Sequence, residues 1–117
     1  KSTNFAYAVF HMPNGKFPVQ VARSLGFSPD QIKDSLTVDY LGNSYTASAL
    51  MGLMAVLEKA KAGDLIFLCS YGSGAGSDSF VLKVTKNLKK NRKEFLKIIK
   101  DKKYINYPTY LKFMEMI

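Results

Sequence analysis

The run ALMGLMAVL, residues 49 to 57, carries no polar side chain at any position. It belongs to a segment from about Ser44 to Lys61, ended by Gly63, that is predicted to form one long helix. A helix that is apolar on every side has to be covered on every side. A single sheet in a chain of 117 residues can cover one side only. We therefore expect the chain to be part of a larger body, with the second layer supplied by a partner subunit or by a missing half of the same protein.

Strands and helices alternate along the rest of the chain. The predicted elements are, in chain order, an apolar strand (5–10), a helix (15–25), a short helix that starts after Ser28, an extended segment (37–40), the long helix, a buried strand (64–71), a glycine loop (72–78), a strand (79–86) that alternates over 80–85, and an amphipathic helix (88–100). In the helix over 15–25, one face is shared by Phe17, Val21 and Leu25. In the last helix, the apolar side consists of Leu88, Phe95, Leu96 and Ile99.

The composition favours one packed domain without a membrane segment. Apolar residues make up 47% of the chain, which favours a packed core over disorder. Cys69 is the only cysteine, so neither an internal disulfide nor a multi-cysteine zinc site can form, and we expect no metal. A reducing, cytoplasmic setting is the expected one. No long apolar run follows Lys1, and the run from Ala47 to Leu57 is too short to cross a bilayer.

The net charge of +8 lies in one C-terminal segment. Residues 83 to 103 contain ten Lys or Arg and two acidic residues, whereas the remainder is balanced with seven of each sign. Such a run is most often a solvated helix face, and a patch for nucleic acid or another anionic partner is the alternative. No zinc-finger spacing or RNA-recognition aromatic motif accompanies it, so we expect no nucleic-acid partner.

Three loops at strand ends or helix starts are candidate sites of chemistry. His11, the only histidine, ends the first strand and is followed by a Pro-Asn-Gly turn. It could act as a general acid/base or as a neutral donor to an oxyanion, or it could be a structural histidine. Asn43 precedes the long helix. It could cap that helix, as could Ser44, or it could aim its amide at a substrate carbonyl.

The third loop, YGSGAGSD over residues 71–78, runs from strand to strand. Its three glycines would let backbone N–H groups approach a ligand closely, so a backbone oxyanion hole is one hypothesis and a flexible hairpin is the other. It is not a dinucleotide fingerprint or a P-loop, because those loops run from a strand into a helix. Cys69 lies within the apolar strand LIFLCSY, where a cysteine is usually inert packing rather than a nucleophile.

Together, the three loops resemble the C-terminal half of the condensing enzymes of the thiolase superfamily. The segments YAVFHMPNGKFP, LGNSYTAS, GDLIFLCSYGSGAGSD and INYPTYLKF are most similar to archaeal-type hydroxymethylglutaryl-CoA synthase, and the likeness covers essentially the whole chain. Ketoacyl-acyl-carrier-protein synthase III is a more distant relative that shares the three loops. The resemblance implies an α/β fold over residues 1–117, the C-terminal half of a thiolase-like fold. This fold has a mixed sheet, covering helices and one nearly all-apolar buried helix.

The resemblance also implies a reaction, the condensation of acetyl-CoA with acetoacetyl-CoA in the mevalonate pathway to isoprenoids, with no further cofactor. The nucleophilic cysteine and a glutamate base would belong to the missing N-terminal half, so the isolated chain is expected to be inactive. His11 resembles the acid/base histidine, and Asn43 resembles its partner at the acetoacetyl group. Ser73, with the amides of Gly72 and Gly74, resembles the loop that holds the thioester carbonyl.

Lys16 matches a lysine that contacts CoA, while the second basic residue usual one turn later is Gln20 here. The resemblance further implies pairing with the missing N-terminal half and a homodimer of the complete enzyme. It also suggests acetoacetyl-CoA thiolase and a small zinc-containing OB-fold protein as partners. Two alternatives stay open, a ketoacyl synthase III-like condensing enzyme and a non-catalytic partner-binding subunit. The stretch MPNGKFP after the histidine favours the hydroxymethylglutaryl-CoA synthase, because the ketoacyl synthase pattern there is QAN.

Overall fold

The computed structural model describes residues 1–72, 74–88 and 94–117. The helices and strands in these ranges are β1 (Tyr7–Phe10), α1 (Lys16–Ser24), α2 (Pro29–Ile32), α3 (Val38–Leu41), α4 (Ala47–Leu57), β2 (Leu65–Gly72), β3 (Gly76–Lys83), α5 (Phe95–Lys100) and α6 (Tyr107–Phe113). Two short 3-10 helices cover Ser2–Asn4 and Lys33–Ser35. The mixture of helices and sheet that the sequence predicts is confirmed.

The three strands form one mixed sheet in the order β1-β2-β3. β1 pairs in parallel with β2, so that Phe10 stands beside Cys69. β2 pairs antiparallel with β3 in a hairpin that closes with Gly72 opposite Gly76. The predicted glycine loop is therefore shorter than expected, and β3 starts at Gly76 rather than at residue 79, because backbone pairing with β2 continues to Gly72. The carboxyl ends of β1 and β2 lie at the same edge of the sheet.

Different helices cover the two faces of the sheet, as the alternation of side chains along a strand requires. The cluster on the α4 face contains Val9, Ala49, Val56, Ala60, Ile66, Leu68 and Val84. The cluster on the α1 and α2 face contains Ala8, Phe10, Ala22, Phe27 and Ile32. β1 contributes to both clusters, and Ala8, Val9 and Phe10 are buried. The prediction that the first strand is buried on both faces is thus confirmed.

α4 approaches the sheet closely because Gly52 has no side chain. A Cβ built at Gly52 would lie 2.8 Å from the carbonyl oxygen of Ser35 and 3.0 Å from Cγ1 of Val9. On the opposite side of the helix, Leu50 is 57% exposed and Met54 is 43% exposed. The sheet covers one side of this apolar helix and leaves the other open, as the sequence predicts.

Two local predictions are wrong. Residues 37–40 are not extended, because the carbonyl oxygen of Thr37 accepts the N–H of Leu41 at 2.9 Å and closes a helical turn. The long helix does not begin at Ser44, because Tyr45 adopts a left-handed φ of 52° that interrupts helical geometry. α4 therefore begins at Ala47 and ends at Leu57.

The two helices before α3 follow the sequence more closely. α2 begins after Ser28 as predicted, and the side chain of Gln31 accepts the Ser28 N–H at 2.8 Å in a capping box. α1 also forms as predicted, but it turns its small residues Pro18 and Ala22 to the interior. Its larger apolar face is exposed and consists of Phe17, Val21 and Leu25.

The amphipathic helix predicted over 88–100 is described only in part, because residues 89–93 lie outside the described ranges. Its second half is α5, in which Phe95 is buried and Leu96 and Ile99 are half-buried, as predicted. Glu58, at the end of α4, accepts the N–H of Leu96 at 2.7 Å and so joins α5 to α4.

The described lysines of the basic segment are all exposed, and they are Lys83, Lys86, Lys97, Lys100, Lys102 and Lys103. This exposure favours the interpretation of a solvated face. Lys102 also ties the segment to α3, since its ammonium group donates to the carbonyl oxygen of Tyr40 at 3.1 Å. The same ammonium group lies 4.9 Å from the ring centroid of Tyr104. Burial raises the pKa of the Tyr40 phenol above its usual value.

Candidate active site

His11 lies at the edge of the sheet where β1 ends. Its backbone N–H donates to the carbonyl oxygen of Cys69 at 2.9 Å, which extends the β1–β2 pairing by one residue. Its side chain lies on the α4 side, where Nδ1 is 3.0 Å from Oγ of Ser48. Its ring centroid is 5.9 Å from that of Tyr71 on β2. The half-buried imidazole is thus held between the start of α4 and the second strand.

Ser48 lies in the first turn of α4 and is only 1% exposed. Besides its contact with His11, its Oγ accepts the backbone N–H of Met12 at 3.0 Å. One buried hydroxyl therefore joins two consecutive residues after β1 to α4. The orientation of the His11 ring is consequently fixed by a helix, and not only by the loop that carries it.

The loop before α4 contains Asn43, whose side chain is exposed. Its Oδ1 accepts the N–H of Tyr45 at 2.8 Å, which forms an Asx turn. The prediction that Asn43 or Ser44 caps the helix is wrong, because the N-cap position of α4 is Thr46. Among the residues that the structure describes, no hydrogen bond joins Asn43 to His11. None of the hydrogen bonds among the described residues involves the Nδ2 group of Asn43.

The glycine hairpin borders an open cavity of about 370 Å³. The residues that line it are Thr46, Ser70, Tyr71, Gly72, Gly74, Gly76 and Asp78. Thr46 brings the loop before α4 against the hairpin, since its Cγ2 would lie 4.0 Å from a Cβ at Gly72. Ala75, in the turn, has a left-handed φ of 62°, a conformation that costs a non-glycine residue about 1 kcal/mol or more. Ser73, the predicted serine of this loop, lies outside the described residues.

Contacts among these three loops bring them to one edge of the sheet. His11 touches the first turn of α4 and Tyr71 of the hairpin strand. Thr46, just before α4, lies next to Gly72 of the hairpin. Glycines of the hairpin line the cavity, and the imidazole of His11 lies against Tyr71, which lines the same cavity. Such a set of donors can stabilise negative charge that develops on an oxygen atom.

Lys16 begins α1, five positions after His11. Asn14 Oδ1 accepts the N–H groups of Lys16 and Phe17 at 2.9 and 3.1 Å and thereby caps the helix. The Lys16 side chain is exposed. A Cβ at Gly15 would lie 2.7 Å from Oδ1 of Asp39, so a carboxylate of α3 borders the same helix start. The lysine therefore has a fixed backbone and a side chain open to solvent.

Cys69 faces the other side of the sheet from His11. It packs against the cluster on the α1 and α2 face. Its Sγ lies 3.5 Å from Oγ of Ser77 on the adjacent strand. The side chain is half-buried rather than fully buried. Its position in the apolar cluster on the α1 and α2 face supports the interpretation that it is a packing residue.

The sequence patterns do not single out Ser48, Thr46 or Tyr71, although all three belong to the site. Ser48 did carry a signal, because it is the only polar residue in the α4 sequence ASALMGLMAVL. A hydroxyl in a buried apolar helix needs a hydrogen-bond partner. Thr46 and Tyr71 carried no such signal. Within the described ranges, no group of three or more His, Cys, Asp or Glu residues could hold a metal ion.

A family model described as 3-oxoacyl-acyl-carrier-protein (ACP) synthase III, C terminal, matches residues 1–84. The matched range contains the whole sheet, α4 and all three loops. The chain belongs to this family. α5 and α6 lie beyond the part that the synthase III C-terminal model matches.

Relatives of this chain are named hydroxymethylglutaryl-CoA synthase, which confirms the resemblance to that enzyme. The protein from Methanopyrus kandleri is 47% identical over 112 residues, covering 93% of this chain and 32% of the relative. The protein from Caldivirga maquilingensis is 46% identical over 120 residues, covering all of this chain and 34% of the relative. The chain thus spans about a third of the length of these relatives.

Solved structures share the fold of this synthase III C-terminal domain. A structure of HMG-CoA synthase complexed with CoA has a TM-score of 0.71 and 30% identity, covering 94% of this chain and 32% of that one. MvaS in complex with 3-hydroxy-3-methylglutaryl coenzyme A has a TM-score of 0.78 and 21% identity, covering 97% of this chain and 35% of that one. The latter likeness shows the fold alone. The predicted thiolase-like fold is therefore confirmed.

No described helix is long and apolar enough to cross a membrane.

Proposed function

We propose that the chain forms the C-terminal part of the active site of a hydroxymethylglutaryl-CoA synthase, which condenses acetyl-CoA with acetoacetyl-CoA. The observation that carries this proposal is the meeting of His11, the start of α4 and the glycine hairpin at one edge of the sheet. Relatives of that name at 43–48% identity support it.

The proposed reaction needs two sets of donors. An acetyl group held as a thioester on a cysteine loses a methyl proton to a glutamate, and the resulting carbanion attacks the ketone carbon of acetoacetyl-CoA. Negative charge passes from the thioester oxygen to the former ketone oxygen, so each oxygen benefits from donors that are already in place. We assign His11 and Asn43 to the ketone oxygen. We assign the amides of Gly72 and Gly74, with Ser73, to the thioester oxygen. Water then hydrolyses the enzyme thioester.

The cysteine and glutamate would come from another part of the protein. The exposed Leu50 and Met54 of α4 support this assignment, because an apolar helix face calls for a covering layer. The complete enzyme would be a cytoplasmic homodimer that uses its two CoA substrates without a cofactor. An acetoacetyl-CoA thiolase and a small zinc-containing OB-fold protein would be its partners.

A second candidate is a ketoacyl-acyl-carrier-protein synthase III-like enzyme, which the description of the matching family model favours. The two enzymes differ in the second substrate, since the ketoacyl synthase takes a malonyl group from a carrier protein. A non-catalytic, partner-binding subunit would take neither substrate.

The deciding experiment uses the full-length protein and follows CoA release with acetyl-CoA alone, with added acetoacetyl-CoA, and with added malonyl carrier protein. We expect hydroxymethylglutaryl-CoA, identified by mass, only with acetoacetyl-CoA. A ketoacyl product on the carrier protein would favour the second candidate. The absence of any condensation by a folded full-length protein would favour the non-catalytic subunit.

A further inference from the structure

The hydroxyl of Ser48 lies in the site next to His11, although the proposed condensation assigns it no role. It is 1% exposed and has two contacts at 3.0 Å, the backbone N–H of Met12 and Nδ1 of His11. A hydroxyl group offers one proton and two lone pairs. The N–H of Met12 can only donate, so it occupies one of the lone pairs.

The hydroxyl proton of Ser48 then needs an acceptor, because a buried donor without a partner loses the hydrogen bonds that it made to water. Within the described residues, the acceptor in reach is Nδ1 of His11. An Nδ1 that accepts a hydrogen bond carries no proton. The neutral imidazole must then carry its proton on Nε2.

The opposite arrangement is less well satisfied. If Nδ1 carried the proton and donated it to Ser48, the Ser48 oxygen would accept two hydrogen bonds. Its own proton would then be buried without an acceptor among the described contacts. The helix that carries Ser48 also packs closely against the loop after β1, since a Cβ built at Gly52, one turn later on α4, would lie 3.1 Å from Cε of Met12. This packing holds the α4 backbone that carries Ser48 close to the loop that carries His11.

We propose that Ser48 is a positioning residue that fixes the tautomer of His11, so that Nε2–H is the group presented to the substrate carbonyl oxygen. This inference rests on the proposed function. In this role, His11 donates a hydrogen bond from Nε2–H of the neutral ring to the developing oxyanion. The resulting alkoxide takes a proton from water to become the hydroxyl of the product, and the proton that the glutamate removed from the methyl group neutralises the hydroxide. Ser48 itself touches no reacting atom.

The first test is Ser48→Ala in the full-length enzyme, with Ser35→Ala as the matched control. Ser35 is an equally buried serine whose hydroxyl donates to the carbonyl oxygen of Ile32 at 2.8 Å. We expect Ser48→Ala to lower kcat about 10- to 100-fold with little change in KM, by analogy with hydrogen-bond partners of metal-bound histidines. Ser35→Ala should lose stability and keep kcat. Equal kcat values for the two variants would overturn the proposal.

The second test reads the tautomer directly and does not depend on how Ser48→Ala folds. The full-length enzyme is labelled with ¹⁵N in the histidine rings, and the His11 signals are those missing from His11→Gln. We expect the unprotonated nitrogen of neutral His11 to be Nδ1, and a protonated Nδ1 would contradict the proposal. If His11→Gln itself leaves turnover unchanged, the proposed function fails. If His11→Gln lowers turnover but Ser48→Ala leaves it unchanged, only the proposed role of Ser48 is wrong.

Discussion

Gly52 of α4 lies so close to Ser35 that a Cβ at residue 52 would be 2.8 Å from the Ser35 carbonyl oxygen. The same Cβ would also crowd Val9 and Met12, at 3.0 and 3.1 Å. Replacing this glycine by alanine therefore forces backbone and packed side chains apart. Overpacking of this kind costs about 1–3 kcal/mol, which exceeds the roughly 1 kcal/mol that alanine gains over glycine within a helix.

We predict that Gly52→Ala lowers the free energy of unfolding, measured by urea denaturation of the full-length protein. Gly74→Ala is the control, because a Cβ at Gly74 would meet no atom within 4 Å. It should leave stability nearly unchanged. A Gly52→Ala protein as stable as the parent would show that α4 can lift from the sheet at little cost.

Cys69 is predicted to be dispensable for turnover. Its side chain lies on the α1 and α2 face, whereas His11 lies on the α4 face of the same sheet. Cys69→Ala in the full-length enzyme should retain kcat within about twofold and lose only some stability, because it removes a half-buried thiol. Acetyl-CoA should leave Cys69 unmodified by mass spectrometry. A stable acetyl thioester on this residue would refute the assignment of the nucleophile to another part of the protein.

The sequence was sufficient to predict the elements whose residues carry strong local patterns. β1 and β2 are apolar runs, and α4 is recognisable from an uninterrupted apolar stretch. The position of His11 at a strand end followed from its neighbours, because the strand stops where Pro13, Asn14 and Gly15 begin.

Features that depend on tertiary contacts were not predictable in the same way. Residues 37–40 look extended because Thr37 and Val38 are β-branched, yet local hydrogen bonding makes them helical. The spacing of the apolar residues Phe17 and Val21 indicates an apolar helix face. It does not indicate whether another part of this chain covers that face. The bond between Ser48 and His11 joins residues 37 positions apart, so it requires the packed structure.

Lys16 is predicted to attract the CoA part of a substrate. Its backbone is held by Asn14, and its side chain extends into solvent at the start of α1. Lys16→Ala in the full-length enzyme should raise KM for a CoA substrate several-fold while kcat changes little, and the effect should shrink at high salt because screening weakens the attraction. Lys61→Ala, which removes another exposed lysine, serves as the control for net charge. An unchanged KM with a lower melting temperature would indicate a structural role.

His11 and Asn43 are predicted to act on one substrate oxygen, with Nδ2 of Asn43 and Nε2 of His11 as the two donors. Asn43→Ala should lower kcat about 10²- to 10³-fold, as single oxyanion-hole deletions do. If the two donors act as a unit, the double variant should lose less than the product of the single losses. Independent, multiplying losses would mean that they serve different oxygens.

The kcat of His11→Ala in the full-length enzyme, with acetyl-CoA and acetoacetyl-CoA as substrates, tests the catalytic assignment most directly. We predict a kcat lower by about 10²- to 10³-fold. The melting temperature should stay close to that of the parent, since the side chain is only half-buried. A folded His11→Ala protein that condenses the two substrates at the parental rate would contradict the assignment of this site.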